Sequence, residues 1–310
     1  MRRCRPRGVL ATLIVLVALG VGACARPADV PEPSAALDDD AITVGSFDFA
    51  ESVLLAEIYS QSLEHAGFTV ERAFALGPRE FVAPALAVGL IELVPEYVGS
   101  AGTFVHRGQA AVTSDLASSY LRLVRGLEGQ RVAALTPSPA QNANTFVVAR
   151  STGDAMELRT LSDVAAVADE LVFGGPPECQ RRLLCLVGLE EKYGITFGTV
   201  VSLRAGPLVE QALRDGGIDL GLMFTSDAAM LSADFVELRD DRHLQPAENI
   251  TPLVREEALG RWGDPLIDAV DAVSARLTTD GLRQLNAEVA GDTARVAAVA
   301  TAWLEAQDVT

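Results

Sequence analysis

The chain is poor in the residues on which most hydrolases and metal proteins depend. Its three histidines, His65, His106 and His243, stand at no ligand spacing from one another or from the four cysteines, so no zinc site is expected. There is no nucleophile elbow, metalloprotease helix motif or phosphate-binding loop, and histidines this few and scattered form no triad. Carboxylates are abundant, yet nothing in the sequence sets two of them across a cleft as glycoside hydrolysis requires. Bases are scarce: 25 Lys and Arg stand against 42 Asp and Glu, a net charge of -17. Nucleic acid is therefore a poor partner, because phosphate backbones demand clustered bases. These absences argue against an enzyme and give no reason to expect a cofactor or metal.

The first residues are of a different kind. Arg2, Arg3, Arg5 and Arg7 precede an apolar run from Val9 to Val21, which at about thirteen residues is short of the roughly 20 needed to cross a bilayer. This is the pattern of a secretory signal, expected over residues 1–23. Val21-Gly22-Ala23-Cys24 resembles a bacterial lipobox, in which Cys24 becomes the lipid-modified first residue. Residues 24–40 carry Pro27, Pro31, Pro33 and Asp38-Asp39-Asp40, have little to bury and read as a flexible tether. The expected location is extracytoplasmic, held by lipid at the outer face of the membrane. Loss of the signal leaves 21 bases against 42 acids, a well-solvated surface. In an exported chain, Cys179 and Cys185, six apart, read as a small disulfide loop.

A pattern that occurs twice is more informative. Ala85-Leu86, Gly89, Ile91-Glu92-Leu93 and Tyr97 return 127 positions later as Ala212-Leu213, Gly216, Ile218-Asp219-Leu220 and Phe224. Ala-Leu predicts the end of a helix, Gly its stop, and Ile-acid-Leu a short buried strand. Each copy is then the helix-to-strand half of a βαβ unit. Ligands of open α/β sheets bind past the carboxyl ends of strands, which puts Tyr97 and Phe224 at a cleft shared by two similar lobes.

Periodicity along the chain predicts α/β organisation. Strands are expected at 41–45, 68–76, 90–94 and 132–135, with helices at 51–65, 80–88 and from the Ser114-Asp115 cap to Gly126. Residues 136–144 read as a crossing into the second lobe. That lobe is expected to contain strands at 145–149, 171–173, 199–203 and 235–238, a helix capped by Ser162, another at 186–193, and the repeated unit of 207–224. Residues 245–252 then cross back, and helices at 265–277, 279–289 and 293–305 complete the first lobe. Lobe I is expected to span 41–143 plus 252–310, and lobe II 144–251, with the two crossings acting as a hinge. Glu51 and Ser52 read as capping and charging the first turn of their helix.

The order of several motifs resembles the substrate-binding lipoproteins of osmoprotectant ABC transporters, which capture glycine betaine, choline, carnitine or proline betaine. The matching stretches are Ile42-Thr43-Val44-Gly45-Ser46 with Phe49 and Glu51, Gly77-Pro78-Arg79-Glu80, Val94-Pro95-Glu96-Tyr97-Val98-Gly99, Gly174-Gly175-Pro176-Pro177-Glu178, Tyr193-Gly194, Phe224-Thr225-Ser226-Asp227, and Asp240-Asp241 with Pro246-Ala247-Glu248-Asn249. The resemblance implies a type 2 periplasmic-binding-protein fold of two βα-wound lobes and two hinge crossovers. It also implies a monomer that delivers its solute to a permease driven by an ATPase.

In that family a quaternary ammonium lies in a box of aromatic rings, whose quadrupoles attract a cation that has no strong donors to offer. By resemblance Tyr97 and Phe224 occupy two box positions, while Thr145 and Glu248 stand where relatives place the other rings. Glu178, Arg182 and Ser100 fall on the polar side of the pocket, and Phe47 replaces an expected Lys. Phe47 or Phe49 offers a ring from another direction, and Glu248 offers a charge that favours choline-like cations over betaines. A neutral hydroxylated solute held by Asn142, Asn144, Thr145, Thr225, Asp227 and Asn249 is the second reading, with phenolic compounds also worth testing. A surface sensor of the same fold is the third.

Overall fold

The computed structural model describes residues 40–107, 113–290 and 292–309. The expected signal at 1–23, Cys24 and the expected tether up to residue 39 lie outside them. The first half of lobe I runs β1 (Ala41–Gly45), α1 (Ala50–His65), β2 (Thr69–Ala73), α2 (Arg79–Val88), β3 (Leu93–Tyr97), α3 (Val98–Val105), α4 (Leu116–Leu127) and β4 (Val132–Ala134). Lobe II follows as β5 (Asn144–Ala149), α5 (Arg150–Ala155), α6 (Leu161–Val164), β6 (Val172–Gly175), α7 (Leu186–Tyr193), β7 (Thr199–Ser202), α8 (Pro207–Arg214), β8 (Leu220–Phe224) and β9 (Phe235–Leu238). The chain returns through β10 (Ile250–Arg255) to α9 (Glu256–Trp262), α10 (Asp264–Ser274), α11 (Thr279–Val289) and α12 (Val296–Ala306).

Two five-stranded sheets result, ordered β2-β1-β3-β10-β4 and β7-β6-β8-β5-β9. Each has three parallel strands followed by two more: one entered from a crossing and antiparallel to the central strand, and an edge strand that leads out into the other crossing. This is the expected two-lobe α/β architecture. The repeated motif supplies the central strand of both sheets. Gly89 and Gly216 end or follow their helices at φ of 82° and 69°, a region that glycine enters without steric cost.

Several expected boundaries shift for identifiable reasons. Ile91 and Glu92 precede β3 rather than belonging to its ladder: Leu90 is exposed, Ile91 packs down on Gly45, and Glu92 accepts the Thr43 N–H. The strand therefore extends to Tyr97. Residues 250–252, expected in the return crossing, already belong to β10, whose centre is interrupted in sequence by Pro252. Pro252 lies opposite Pro95 of β3, an arrangement that leaves both strands paired although proline has no N–H to donate. The short helix expected to be capped by Ser162 is capped by Thr160, through a capping box with Asp163. Helix α9 was not expected.

Candidate functional site: the cleft between the lobes

Both crossings place the carboxyl ends of β3 and β8 on a common cleft of about 1110 Å³, slightly above the roughly 300–1,000 Å³ usual for small-molecule sites. Tyr97 and Phe224 are the last residues of those strands, and both line it. On the lobe I wall, Phe47, Phe49 and Tyr97 form a stack, with ring centroids 5.8 Å apart for the first pair and 6.3 Å for the second. Phe47 and Tyr97 are buried, and Phe49, 42% exposed, presents its ring to the opening. The Arg79 guanidinium lies over Phe47, 5.2 Å from the ring centroid, while two of its nitrogens grip the buried Glu96 carboxylate at 2.7 and 2.9 Å.

Beneath the rings is the buried carboxylate of Glu51. Its Oε1 accepts from the Tyr97 hydroxyl at 2.8 Å and the Asn142 amide at 2.6 Å, and its Oε2 accepts from the Asn286 amide at 2.7 Å. Burial, followed by the Glu51 charge, holds the Tyr97 phenol well above its ordinary pKa, so the hydroxyl stays a donor. These contacts gather α1, β3, the first crossing and α11 around one side chain. Asn286 also donates to the Ser226 carbonyl of lobe II at 3.0 Å, and Arg283 of α11 donates to the Thr225 carbonyl and to Glu237. Helix α11 thus ties lobe I to lobe II beside the cleft.

Lobe II contributes Phe224, Ser226 and Asp227, with Glu178 and Arg182 at the rim. Asp227 accepts the Phe224 N–H at 2.9 Å, and its pKa is pushed up to about 6, chiefly by burial and then by the negative charges of Glu51 and Glu210. Glu178 and Arg182 pair with each other at 3.4 Å in solvent, where such pairs contribute little. The adjacent Cys179 and Cys185 are joined in a disulfide with Cα atoms 5.2 Å apart.

Five expected site residues are directed elsewhere, among them Asn249, which is buried and donates to the Ser138 carbonyl at 2.8 Å. Glu248 is buried and accepts the Ser100 N–H and hydroxyl at 2.9 and 2.8 Å, capping the first turn of α3. Burial pushes its pKa up to about 7 despite those bonds. Thr145 donates to Glu237, Asn144 to the Leu184 carbonyl and Thr225 to the Gln141 carbonyl, so these three brace lobe II and the crossing. Ser100, Phe47 and Phe49 do line the cleft. Sequence reasoning gave Glu51 a helix-capping role and did not single out Asn286 or Arg79. Asn286 in particular lies 235 positions from the carboxylate it meets, and no local signal marks it.

Comparison with known proteins agrees with the two-lobe fold. Residues 40–306 match the family described as OpuAC, the substrate binding domain of the ABC-type glycine betaine transport system. The chain is 26% identical over 265 residues to the glycine betaine-binding protein YehZ of Escherichia coli K12, covering 80% of this chain and 85% of that one. It is 27% identical over 261 residues to a glycine-betaine-binding protein of Pseudomonas aeruginosa, covering 81% and 82%. Among solved structures, one described as a glycine betaine/carnitine/choline ABC transporter superposes with a TM-score of 0.79 at 22% identity, covering 86% of this chain and 99% of that chain. Apo YehZ from Escherichia coli superposes at 0.73 with 25% identity, covering 87% and 99%. The chain belongs to the family of substrate binding domains of ABC-type glycine betaine transport systems and is the solute-binding component of an importer.

Proposed function

We propose that the inter-lobe cleft captures a small quaternary-ammonium solute and closes on it by rotation about the two crossings. The observation that carries this reading is the Phe47–Phe49–Tyr97 stack on lobe I, lining the same cleft as Phe224 on lobe II. Alkylammonium groups are held by ring faces and apolar walls because they lack the donors that would satisfy a polar pocket. In this reading Cys24 carries the lipid anchor, the protein acts as a monomer, and the loaded form docks on a permease worked by an ATPase. Sugars and other neutral polyols would leave the ring faces without an electrostatic partner.

The test is calorimetric titration with choline, glycine betaine, carnitine, proline betaine and a panel of neutral polyols. A quaternary ammonium is expected to bind best, and Phe49→Ala is expected to weaken it by about 10- to 30-fold, the loss of one desolvated cation–ring contact. Binding confined to the polyols, or an unchanged affinity in Phe49→Ala, would remove the basis for this site.

A further inference from the structure

The segment that follows β6 belongs to no ladder and is held at three other points. Residues 176–185 form no strand, and their own backbone bonds are tight turns, such as Arg182 N–H to the Cys179 carbonyl at 3.3 Å and Cys185 N–H to the Arg182 carbonyl at 3.1 Å. The first point is the disulfide, whose two cysteines are buried in the same apolar cluster as Leu244. The second is Gly188, where a Cβ would lie 1.9 Å from the Leu183 carbonyl oxygen and 2.5 Å from Leu244 Cδ1. The loop, the first turn of α7 and the residues leading into the return crossing therefore meet with no room for a side chain. The third is the Leu184 carbonyl, which accepts the Asn144 amide at 3.3 Å and the Gln245 amide at 3.0 Å.

Asn144 ends the first crossing and Gln245 begins the return, so one backbone oxygen joins both crossings where they meet lobe II. Gln245 is buried and its Oε1 has no partner among the described residues. The bond to Leu184 is thus what engages this amide, in a setting where polar groups ordinarily use all their bonds. Beyond it the crossings run antiparallel and side by side, with Asn142 N–H on the Glu248 carbonyl at 3.0 Å and Gln141 facing Asn249. On the cleft side of the same loop, Glu178 and Arg182 line the rim.

Resting on the reading of the cleft as the solute site, we infer that the Cys179–Cys185 loop clamps the two crossings together through the Leu184 carbonyl, and that Asn144 and Gln245 are positioning residues for solute capture. A hinge turns about the few residues that absorb the change in backbone angle. Tied at Leu184, the crossings do not splay on the lobe II side, which confines the turning to residues 141–143 and 246–249. Asn144 also stands opposite Phe224 in the ladder of β5 and β8, so the lobe II ring, the rim and the pivot share one frame. A loop ordered before the solute arrives lowers the cost of ordering it on capture. The disulfide then serves capture as well as folding.

The experiment compares the full chain with Cys179→Ala/Cys185→Ala, with Gln245→Met, which keeps the side chain's length and removes its amide, and with the triple variant. Amide hydrogen exchange without solute is expected to rise about tenfold or more at residues 141–143 and 246–249 in each variant, and to stay unchanged in β6 and β8. Calorimetric titration with choline and with glycine betaine is expected to show affinity lowered about tenfold in the cysteine variant and about three- to tenfold in Gln245→Met. The triple variant is expected to lose little more than the cysteine variant, because both changes release one clamp. Gln245→Met leaves the disulfide intact and carries the result if the cysteine variant does not fold. Unchanged exchange at the crossings, or an equal rise throughout the lobe II sheet, would make the loop a local staple and overturn the inference. Unchanged affinity in every variant, or losses that multiply in the triple variant, would overturn it as well. If neither solute binds the wild type, the quaternary-ammonium reading falls, and the exchange measurements still decide the clamp.

Discussion

In lobe I, Ile91 rests against Gly45, and in lobe II, Ile218 rests against Gly174. A Cβ on either glycine would lie 2.5 or 2.4 Å from the isoleucine Cδ1. The acid that follows is matched as well, since Glu92 accepts the Thr43 N–H and Asp219 the Val172 N–H. The leucine then opens the central strand, and the aromatic residue closes it at the cleft. Around this common scaffold the lobes diverge. Lobe I has one continuous core joined by the C-terminal helices, whereas lobe II divides its core between separate clusters and staples the turn after β6 with a disulfide. Where lobe I places α1 with Glu51 and the Phe47–Phe49 pair, lobe II places a short 3-10 turn at Pro177–Arg181. The repeated unit fixes strand, turn and reach into the cleft, and the unrepeated segments after β1 and after β6 determine what the cleft wall contains.

The largest expected effect tests the shared scaffold. Gly45→Ala and Gly174→Ala each force a methyl against a packed isoleucine, an overpacking that costs about 1–3 kcal/mol. Ile91→Val and Ile218→Val, which remove the clashing Cδ1, are expected to recover part of the loss in their own lobe and none in the other. Denaturant unfolding of the singles and doubles checks this, and rescue across lobes would break the equivalence.

A smaller effect separates the two raised carboxyls. A carboxyl whose pKa is higher folded than unfolded binds its proton more tightly in the native state, so stability falls as pH rises from the ordinary value towards the folded one. For Glu248 that window runs from 4.5 to about 7, and for Asp227 from 3.8 to about 6. Glu248 faces Ser100, Arg79 and Glu96, while Asp227 faces Glu51 and Glu210. Melting temperatures measured between pH 4 and 8 are expected to show a flatter upper part of the profile in Glu248→Gln and a flatter lower part in Asp227→Asn. A Glu248→Gln profile parallel to the wild type above pH 6 would contradict the burial of that carboxyl.

Much of the fold was legible because its signals are local. The duplicated Gly and Ile-acid-Leu positions mark strand entry, and the spacing of Cys179 and Cys185 marks the staple. Strand β10 was hidden by Pro252, whose facing partner Pro95 is distant in sequence. The site was legible in its aromatic residues and less so in its polar ones. Tyr97 and Phe224 follow from strand position, but Glu51 resembles any acid in a helical first turn until Asn142 and Asn286 close around it. Glu248 reads as a ligand-facing charge in sequence because nothing local reveals that Ser100 lies within reach. Polar roles depend on contacts made across the fold, and periodicity carries no information about them.

The central claim is that one solute is held by both lobes at once, and Phe224→Ala tests it most directly, because Phe224 is remote in sequence and lobe from the Phe47–Phe49–Tyr97 stack. Calorimetric titration of the preferred quaternary ammonium into this variant is expected to show an affinity lowered about tenfold or more. An affinity equal to that of the wild type would mean that the solute is bound by lobe I alone, contradicting the clamp.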